Sequence, residues 1–191
     1  MPFIPPGEYV LIPQHITEPL FGIKYTFARF GVAADGSCFF HSLCAAFNSA
    51  NYLQRSERHQ RKIASNLRCS LIAGTADHSR YNAIASNLWH DSEEHSLLDL
   101  KSRFCRTHIA STEAMIRFAM EKLKINIIFV DYSVGKLRCD VYGDPKHPTV
   151  FIAWIDRKHF EPLGLLSEGS QMRFVFDPSE PCVTHARRLL C

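Results

Sequence analysis

Residues 35–42 read DGSCFFHS, a turn signal that leads directly into an apolar stripe. The stripe has the spacing of one helix face and consists of Phe40, Leu43, Cys44 and Phe47. Gly36 permits a tight turn before the helix, and either Asp35 or Ser37 can cap it. The stretch therefore predicts a helix that carries Cys38 in its first turn, and the rest of the chain is interpreted outward from this point.

Cys38 has the position of a reactive thiol. Unpaired backbone N–H groups and the positive end of the helix dipole favour a thiolate at a helix N-terminus. The N–H groups of Gly36, Ser37 and Cys38 are also candidate donors to an oxyanion formed when the thiolate attacks a carbonyl. The competing interpretation is a buried structural cysteine, and position alone does not exclude it.

A nucleophilic cysteine needs a base, and the base needs an orienting partner. His159 follows a predicted strand at residues 149–155 after a short polar loop. Glu161 comes two residues later, so in an extended segment both side chains point to the same face. The chain has 10 histidines, so a surface-loop histidine remains the alternative for His159 taken alone.

Helical patterns come first along the chain and strand patterns later. Apolar spacing predicts helices around residues 63–71, 81–88 and 116–123, the first stopped near Gly74. β-rich runs predict strands at residues 125–130, 137–142, 149–155 and 172–176, with a turn at 133–136. Residues 1–30 show no helical period and predict an extended arm with short strands. This order is typical of an α+β fold.

Composition narrows the class of protein. The 191 residues suit one domain, with 46% hydrophobic and 21% charged residues. A net charge of +3 is too small to indicate nucleic-acid binding, and the basic run at residues 55–68 is interpreted as a solvated helix face. The 7 cysteines, an odd number without CxxC, favour a reduced protein. The N-terminus does not resemble a signal peptide, and no run of about 18 apolar residues predicts a membrane span.

A zinc site is the remaining chemical alternative. Cys105 and His108 have CxxH spacing, and further candidate ligands lie upstream at His59, Cys69 and His95. No second close pair completes a tetrahedral set. We therefore expect no metal.

The Cys38 and His159 segments together resemble the OTU (ovarian tumour) family of cysteine proteases. The family pattern is Asp-Gly-x-Cys followed by aromatic residues or leucine at the head of a helix, which residues 35–42 match. Its histidine comes late, after a strand, and is usually followed by an aromatic residue, as in this sequence. Residues 111–130 are similar to the helix and strand that precede the family's histidine hairpin. The resemblance covers roughly residues 30–162.

Two positions depart from the family pattern. Ser37 stands where the family most often has Asn, and Glu161 stands where it usually has Asp or Asn. Because Glu is longer by one methylene, its carboxylate must approach the imidazole of His159 differently. Asp35 is the alternative orienting acid, although the family's aspartate at that position shapes the loop before the cysteine.

The resemblance implies a deubiquitinase with a papain-like OTU fold, in which a small central β-sheet is flanked by helices. Cys38 would cleave the isopeptide bond at the ubiquitin C-terminus through a thioester, without any cofactor. The implied partners are ubiquitin, polyubiquitin chains and ubiquitin-like modifiers, with no nucleic acid and no membrane. We expect a monomer with an N-terminal extension at residues 1–29, a catalytic domain at 30–178 and a C-terminal tail or helix at 179–191.

Two other functions are compatible with the same resemblance. One is a ubiquitin-binding module that kept the fold and lost the activity, which the intact pair of Cys38 and His159 opposes. The other is a viral protease that processes its own polyprotein. The expected location is the cytoplasm, of a host cell if the protein is viral, or the nucleus.

Overall fold

A computed structural model describes residues 3–22, 25–73, 97–106, 108–131, 136–138, 144–156, 158–166 and 172–190. Its helices are α1 (Gln14–Phe21), α2 (Cys38–Phe47), α3 (Ser49–Tyr52), α4 (Glu57–Ile72), α5 (Leu97–Cys105), α6 (Glu113–Leu123) and α7 (Pro181–Leu190). Its strands are β1 (Tyr9–Leu11), β2 (Phe27–Phe30), β3 (Asn126–Asp131), β4 (Lys136–Arg138), β5 (Thr149–Ile155), β6 (His159–Leu166), β7 (Met172–Arg173) and β8 (Val175–Phe176).

The strands form one sheet in the order β1-β2-β6-β5-β3-β4, with β7 beside β6 and β8 beside β5. Within this described sheet β3 and β5 pair in parallel, and the other pairings are antiparallel. Antiparallel pairing of β5 with β6 opposes Ile155 to His159. The chain therefore leaves the buried strand β5, turns sharply, and begins β6 at His159, the predicted base.

Helices cover both faces of the sheet. Along β5, Val150 and Ile152 belong to a core shared with α2, α4, α5 and α6. The alternate residues Phe151, Ala153 and Ile155 belong to a second core shared with α1 and α7. A strand buried on both faces reads as a continuous apolar run, as residues 149–155 do. The predicted α+β fold with a central sheet flanked by helices is confirmed.

The N-terminal segment departs from the prediction of an extended arm with short strands. It contains a helix, α1, whose buried residues are Thr17, Leu20 and Phe21. The helix is short and includes Pro19, which obscured its period in the sequence. β2 lies between β1 and β6 within the sheet. The boundary predicted at residues 29 and 30 thus falls inside a strand of the common sheet.

The C-terminal residues form a helix that packs on this N-terminal segment. α7 buries Cys182, Val183 and Ala186, and it lies against α1. Gly22 ends α1 with φ of +72°, and a Cβ there would lie 2.3 Å from Nδ1 of His185. A residue with a side chain would therefore be both strained and blocked at this position.

α4 forms where a helix was predicted, but its buried face matches the predicted stripe only in part. Leu71 is buried and Leu67 packs against the core, whereas Ile63 is exposed. The helix also buries Gln60, Ala64 and Arg68. The interpretation of residues 55–68 as a solvated basic face is wrong for Arg68, which is fully buried. Its guanidinium is accommodated because backbone carbonyls surround it, at 2.9 Å from Phe104 and 3.0 Å from Ile109.

Some predictions lie outside the described residues, namely the helix at 81–88, the stop at Gly74, most of the turn at 133–136 and the end of the strand at 137–142. Within the described ranges, no helix is long and apolar enough to cross a membrane.

Candidate active site

Cys38 is the first residue of α2, as the sequence predicts, and it is buried with 5% of its surface exposed. The turn before it depends on Gly36, whose φ is +82°. A Cβ at Gly36 would lie 2.5 Å from the carbonyl oxygen of His108. Glycine is therefore needed here both for the left-handed backbone and for the close approach of another loop.

The peptide between Gly36 and Ser37 is held at both ends. Ser37 N–H donates to Asp35 Oδ1 at 3.0 Å. Arg68 Nη1 lies 3.3 Å from the Gly36 carbonyl and donates to Ser37 Oγ at 3.0 Å. Of the three candidate oxyanion donors, the N–H of Ser37 is thus engaged by Asp35.

His159 is the first residue of β6 and is 2% exposed. A tight turn places it there, because Lys158 N–H donates to the Ile155 carbonyl at 2.9 Å and Asp156 has φ of +47°. The imidazole is within hydrogen-bonding contact of Cys38. Burial disfavours its charged form, but interactions with the side chains of Cys38 and Glu161 outweigh burial and raise the pKa of His159 to about 9.

Glu161 lies on the same face of β6 as His159 and is fully buried. Its Oε1 is 3.5 Å from His159 Nε2, a distance typical of an electrostatic contact rather than a short hydrogen bond. Its Oε2 is 2.9 Å from Nε of Arg29, on the neighbouring strand β2, and the backbone N–H of Ile4 donates to Oε1 at 3.3 Å. The longer side chain thus reaches the imidazole while two other groups hold it.

Asp35, the alternative acid, is engaged elsewhere. Its Oδ2 is 3.1 Å from Nε2 of His41, whose Nδ1 hydrogen-bonds the hydroxyl of Tyr52. Burial alone would raise the pKa of Asp35, but hydrogen bonds from His41 and from the Ser37 N–H hold it below its ordinary value. The structure therefore brings Cys38, His159 and Glu161 together and places Asp35 in the loop that precedes the cysteine.

Ser42 links the helix of the nucleophile to the strand of the base. Its hydroxyl lies 2.9 Å from the carbonyl of Cys38 and 3.1 Å from the carbonyl of Phe160. Phe39 packs edge-on against Phe160 with ring centroids 5.9 Å apart. These contacts fix α2 against β6 immediately beside Cys38 and His159.

Sequence reasoning missed several of these groups. Arg29, His41, Ser42, Arg68 and the backbone of Ile4 all contact the site or its loop. The sequence does not indicate that Arg29 and Arg68 are buried beside the site, since an arginine in a strand or helix is usually exposed. The contact of Ile4 with Glu161 spans 157 residues of sequence, and no local pattern predicts it.

A cavity of about 180 Å³ adjoins β6 on the side of Phe160. Its walls include Glu113 and Arg117 of α6, and Trp154, which also lines it, stacks on Phe160 with ring centroids 6.2 Å apart.

The candidate zinc ligands meet only in part. The thiols of Cys69 and Cys105 are in contact, and burial together with that contact raises the pKa of Cys69. Across the described ranges no group of three or more His, Cys, Asp or Glu side chains is arranged to hold a metal ion. His95 lies outside those ranges.

Solved structures similar to this chain are OTU domains. One is an ovarian tumour (OTU) domain in complex with ubiquitin, 16% identical, with a TM-score of 0.55 over 86% of this chain and 83% of that one. Another is the viral OTU domain protease from Dera Ghazi Khan virus, 20% identical, with a TM-score of 0.50 over 75% of this chain and 83% of that one. No protein-family model matches the sequence, and no curated protein is significantly similar to it.

Both likenesses extend over most of the chain, so they concern the whole sheet with its helices and not a single motif. Identities of this size show a shared fold and leave each residue's role to the geometry of the site. This chain has the fold of an OTU domain.

Proposed function

We propose that this chain is a cysteine-dependent deubiquitinase of the OTU type, with Cys38 as nucleophile and His159 as base. The observation that carries the proposal is the contact between the two side chains, together with the raised pKa of His159. An imidazole that is protonated at neutral pH and touches a thiol supports a thiolate–imidazolium pair.

The reaction has two steps. The Cys38 thiolate attacks the carbonyl carbon of the ubiquitin C-terminal glycine, and the electron pair of that carbonyl moves to its oxygen. Collapse of the tetrahedral intermediate breaks the bond to the lysine nitrogen, which takes a proton from His159. Water, deprotonated by His159, then attacks the thioester and releases ubiquitin and the free thiolate.

Three groups of residues stabilise the charges that develop in this reaction. The N–H groups of Gly36 and Cys38 are the proposed oxyanion donors. Glu161, held by Arg29 and the Ile4 backbone, supports the imidazolium and limits its rotation. Asp35, counted with the candidate catalytic residues in the sequence, acts in this proposal by fixing the Ser37 N–H.

Ubiquitin as the substrate is supported by the fold. The similar OTU domain with the TM-score of 0.55 is in complex with ubiquitin, and a shared fold leaves room for a shared ligand. Cleavage of polyubiquitin chains and of ubiquitin-like modifiers extends the same proposal. The alternatives of an inactive ubiquitin-binding module and of a viral polyprotein protease, the monomeric state, and the location in cytoplasm or nucleus remain predictions.

Cleavage of isopeptide-linked diubiquitin tests the proposal. The wild-type chain should release monoubiquitin, and Cys38→Ala should not. Cys105→Ala is the matched control, because Cys105 is an exposed free thiol outside the site, and it should cleave normally. Ubiquitin binding without cleavage by the wild-type chain would contradict the enzyme and favour the inactive module.

A further inference from the structure

We propose that the N-terminal arm, defined as residues 3–6, is part of the active site and that Phe3 and Ile4 position the pair of His159 and Glu161. The inference rests on the proposed function, because it gives these two residues a role in holding the imidazole against Cys38. Sequence patterns placed the arm outside the catalytic domain.

Ile4 acts through its backbone. Its N–H donates to Glu161 Oε1 at 3.3 Å, and that oxygen is also the one 3.5 Å from His159 Nε2. The other oxygen of the carboxylate faces Arg29 at 2.9 Å. The arm therefore holds the oxygen that is turned toward the imidazole. Such donors matter because Glu161 is fully buried and a buried charge depends on protein groups where water is excluded.

Phe3 acts through its ring. The ring meets the His159 imidazole edge-on, with centroids 4.8 Å apart and an interplanar angle of 70°. The Phe3 side chain is 53% exposed, so it adds little to the hydrophobic core. Its contact instead limits rotation of the imidazole and keeps water from one side of the ring.

Close backbone packing fixes the arm in this place. A Cβ at Gly31 would lie 2.1 Å from the Pro5 carbonyl oxygen and 2.4 Å from the Ile4 carbonyl oxygen. Gly31 N–H donates to the Glu8 carbonyl at 2.9 Å, and Gly7 N–H donates to the Gly31 carbonyl at 3.2 Å. Gly31 directly follows β2, which pairs with the strand of His159 and Glu161. The arm is thus anchored beside the site and does not depend on Phe3 for its position.

Paired variants separate positioning from folding. Ile4→Pro removes the N–H that holds Glu161, whereas Ile4→Ala removes the buried side chain and keeps that N–H. Phe3→Ala removes an exposed ring, so the fold should be unaffected. Leu11→Ala is the control, because Leu11 is 50% exposed in the same N-terminal segment and belongs to β1, away from the arm.

Two readouts are measured on each full-length variant. One is the rate at which iodoacetamide alkylates Cys38 at pH 7, followed by peptide mass spectrometry, which needs no ubiquitin and reports the thiolate. The other is kcat and KM on a fluorogenic ubiquitin substrate. Ile4→Pro and Phe3→Ala should lower kcat and the alkylation rate by roughly 3- to 10-fold and leave KM unchanged, the effect of a misplaced base. Leu11→Ala should stay within about twofold of the wild type. Ile4→Ala loses the same buried side chain as Ile4→Pro but keeps the N–H, so it should lower kcat and the alkylation rate less than Ile4→Pro does.

Several outcomes would overturn the inference. Equal alkylation rates and equal kcat for Phe3→Ala and Leu11→Ala would overturn it. Faster alkylation or turnover in Phe3→Ala would also overturn it, because the arm would then obstruct the site instead of positioning His159. Equal kcat and alkylation rates for Ile4→Pro and Ile4→Ala would likewise overturn the inference, because the Ile4 N–H would then have no role. If the wild type cleaves no ubiquitin, the proposed function fails, but the alkylation rates still decide whether the arm positions His159.

Discussion

His159 and His41 are both buried beside a carboxylate, but they face different third groups. His159 lies 3.5 Å from Glu161 and contacts the thiol of Cys38. His41 lies 3.1 Å from Asp35 and hydrogen-bonds the hydroxyl of Tyr52. Two similar pairs thus differ in their third group, which is a thiol in one and a phenol in the other.

We infer from the difference that the shorter histidine–carboxylate contact is not the one that serves the proposed reaction. Burial raises the pKa of Tyr52 far above its ordinary value, so its hydroxyl keeps its proton and serves only as a hydrogen-bonding group. The pair of His41 and Asp35 therefore supports the turn before Cys38. In the proposed mechanism, the pair of His159 and Glu161 exchanges a proton with the thiol and the leaving amine.

The largest loss of activity is expected when His159, the proposed base, is removed. His159→Ala should lower kcat/KM by at least about 10²-fold, because general acid and base help is lost. The variant should still fold, but its melting temperature at neutral pH should fall, because the stabilisation linked to the raised pKa of His159 is lost with the imidazole. Parallel measurement on His147→Ala supplies the control. A larger loss from another histidine, with near-normal His159→Ala, would mean that the base is misassigned.

The orienting acid should give the next largest effect. Glu161→Ala should slow cleavage by roughly 10- to 100-fold, or about 1.4 to 2.7 kcal/mol of barrier. Glu161→Gln should cost less, because its carbonyl oxygen can still accept from the Ile4 N–H. Steady-state cleavage rates of Glu161→Ala and Asp35→Ala, measured side by side, decide which acid orients His159. Normal turnover in Glu161→Ala beside a folded but severely impaired Asp35→Ala would reverse the roles of the two pairs.

The second pair should affect stability more than rate. Tyr52→Phe deletes the hydroxyl that meets Nδ1 of His41 and leaves a buried polar atom unsatisfied, at a cost of about 1–3 kcal/mol in the free energy of unfolding. Urea unfolding measures this cost, and kcat/KM should change far less than in His159→Ala. A large loss of rate with unchanged stability would show that His41 takes part in the chemistry.

The smallest expected effect is on the pH dependence of stability. The pKa of His159 is about 9 in the folded chain, above the roughly 6.5 of an unfolded histidine. The folded state therefore binds the proton more tightly. The stabilisation is complete below about pH 6.5 and is lost as pH rises toward 9. Unfolding free energies across this range should fall more steeply for the wild type than for His159→Ala, and parallel curves would contradict the raised pKa.

α2 and α4 show how far the sequence predicts this fold and where it stops. In α2 the predicted apolar stripe is buried at Phe40, Leu43 and Cys44, whereas Phe47 at its end is exposed. The residues between them are buried as well, because the helix is enclosed by the core on most sides. In α4 the buried face includes Gln60 and Arg68, whose polar groups meet the backbone carbonyls of Tyr52 and Phe104 outside the helix. Hydrophobic spacing carries no information about such partners, so the burial of these two residues was not predicted.

The same limit applies to the site. The position of Cys38 follows from a helix start that local patterns reveal, and that of His159 follows from the strand and polar loop before it. The strand β6, which begins at His159, was not predicted. Local patterns do not reveal which acid, Glu161 or Asp35, lies beside His159. Glu161 is held there by Arg29 and Ile4, which come from other parts of the chain. Alternation along a strand placed Glu161 on the correct face, and only the folded chain shows what holds it there.

The most direct test of the central claim is a ubiquitin probe that carries a C-terminal electrophile, followed by mass-spectrometric mapping of the modified cysteine. We predict that wild-type protein forms one covalent adduct, that the adduct maps to Cys38, and that His159→Ala forms it much more slowly. Cys38→Ala should form none. An adduct that persists in Cys38→Ala, or that maps to another cysteine in the wild type, would contradict the assignment of Cys38 as the nucleophile served by His159.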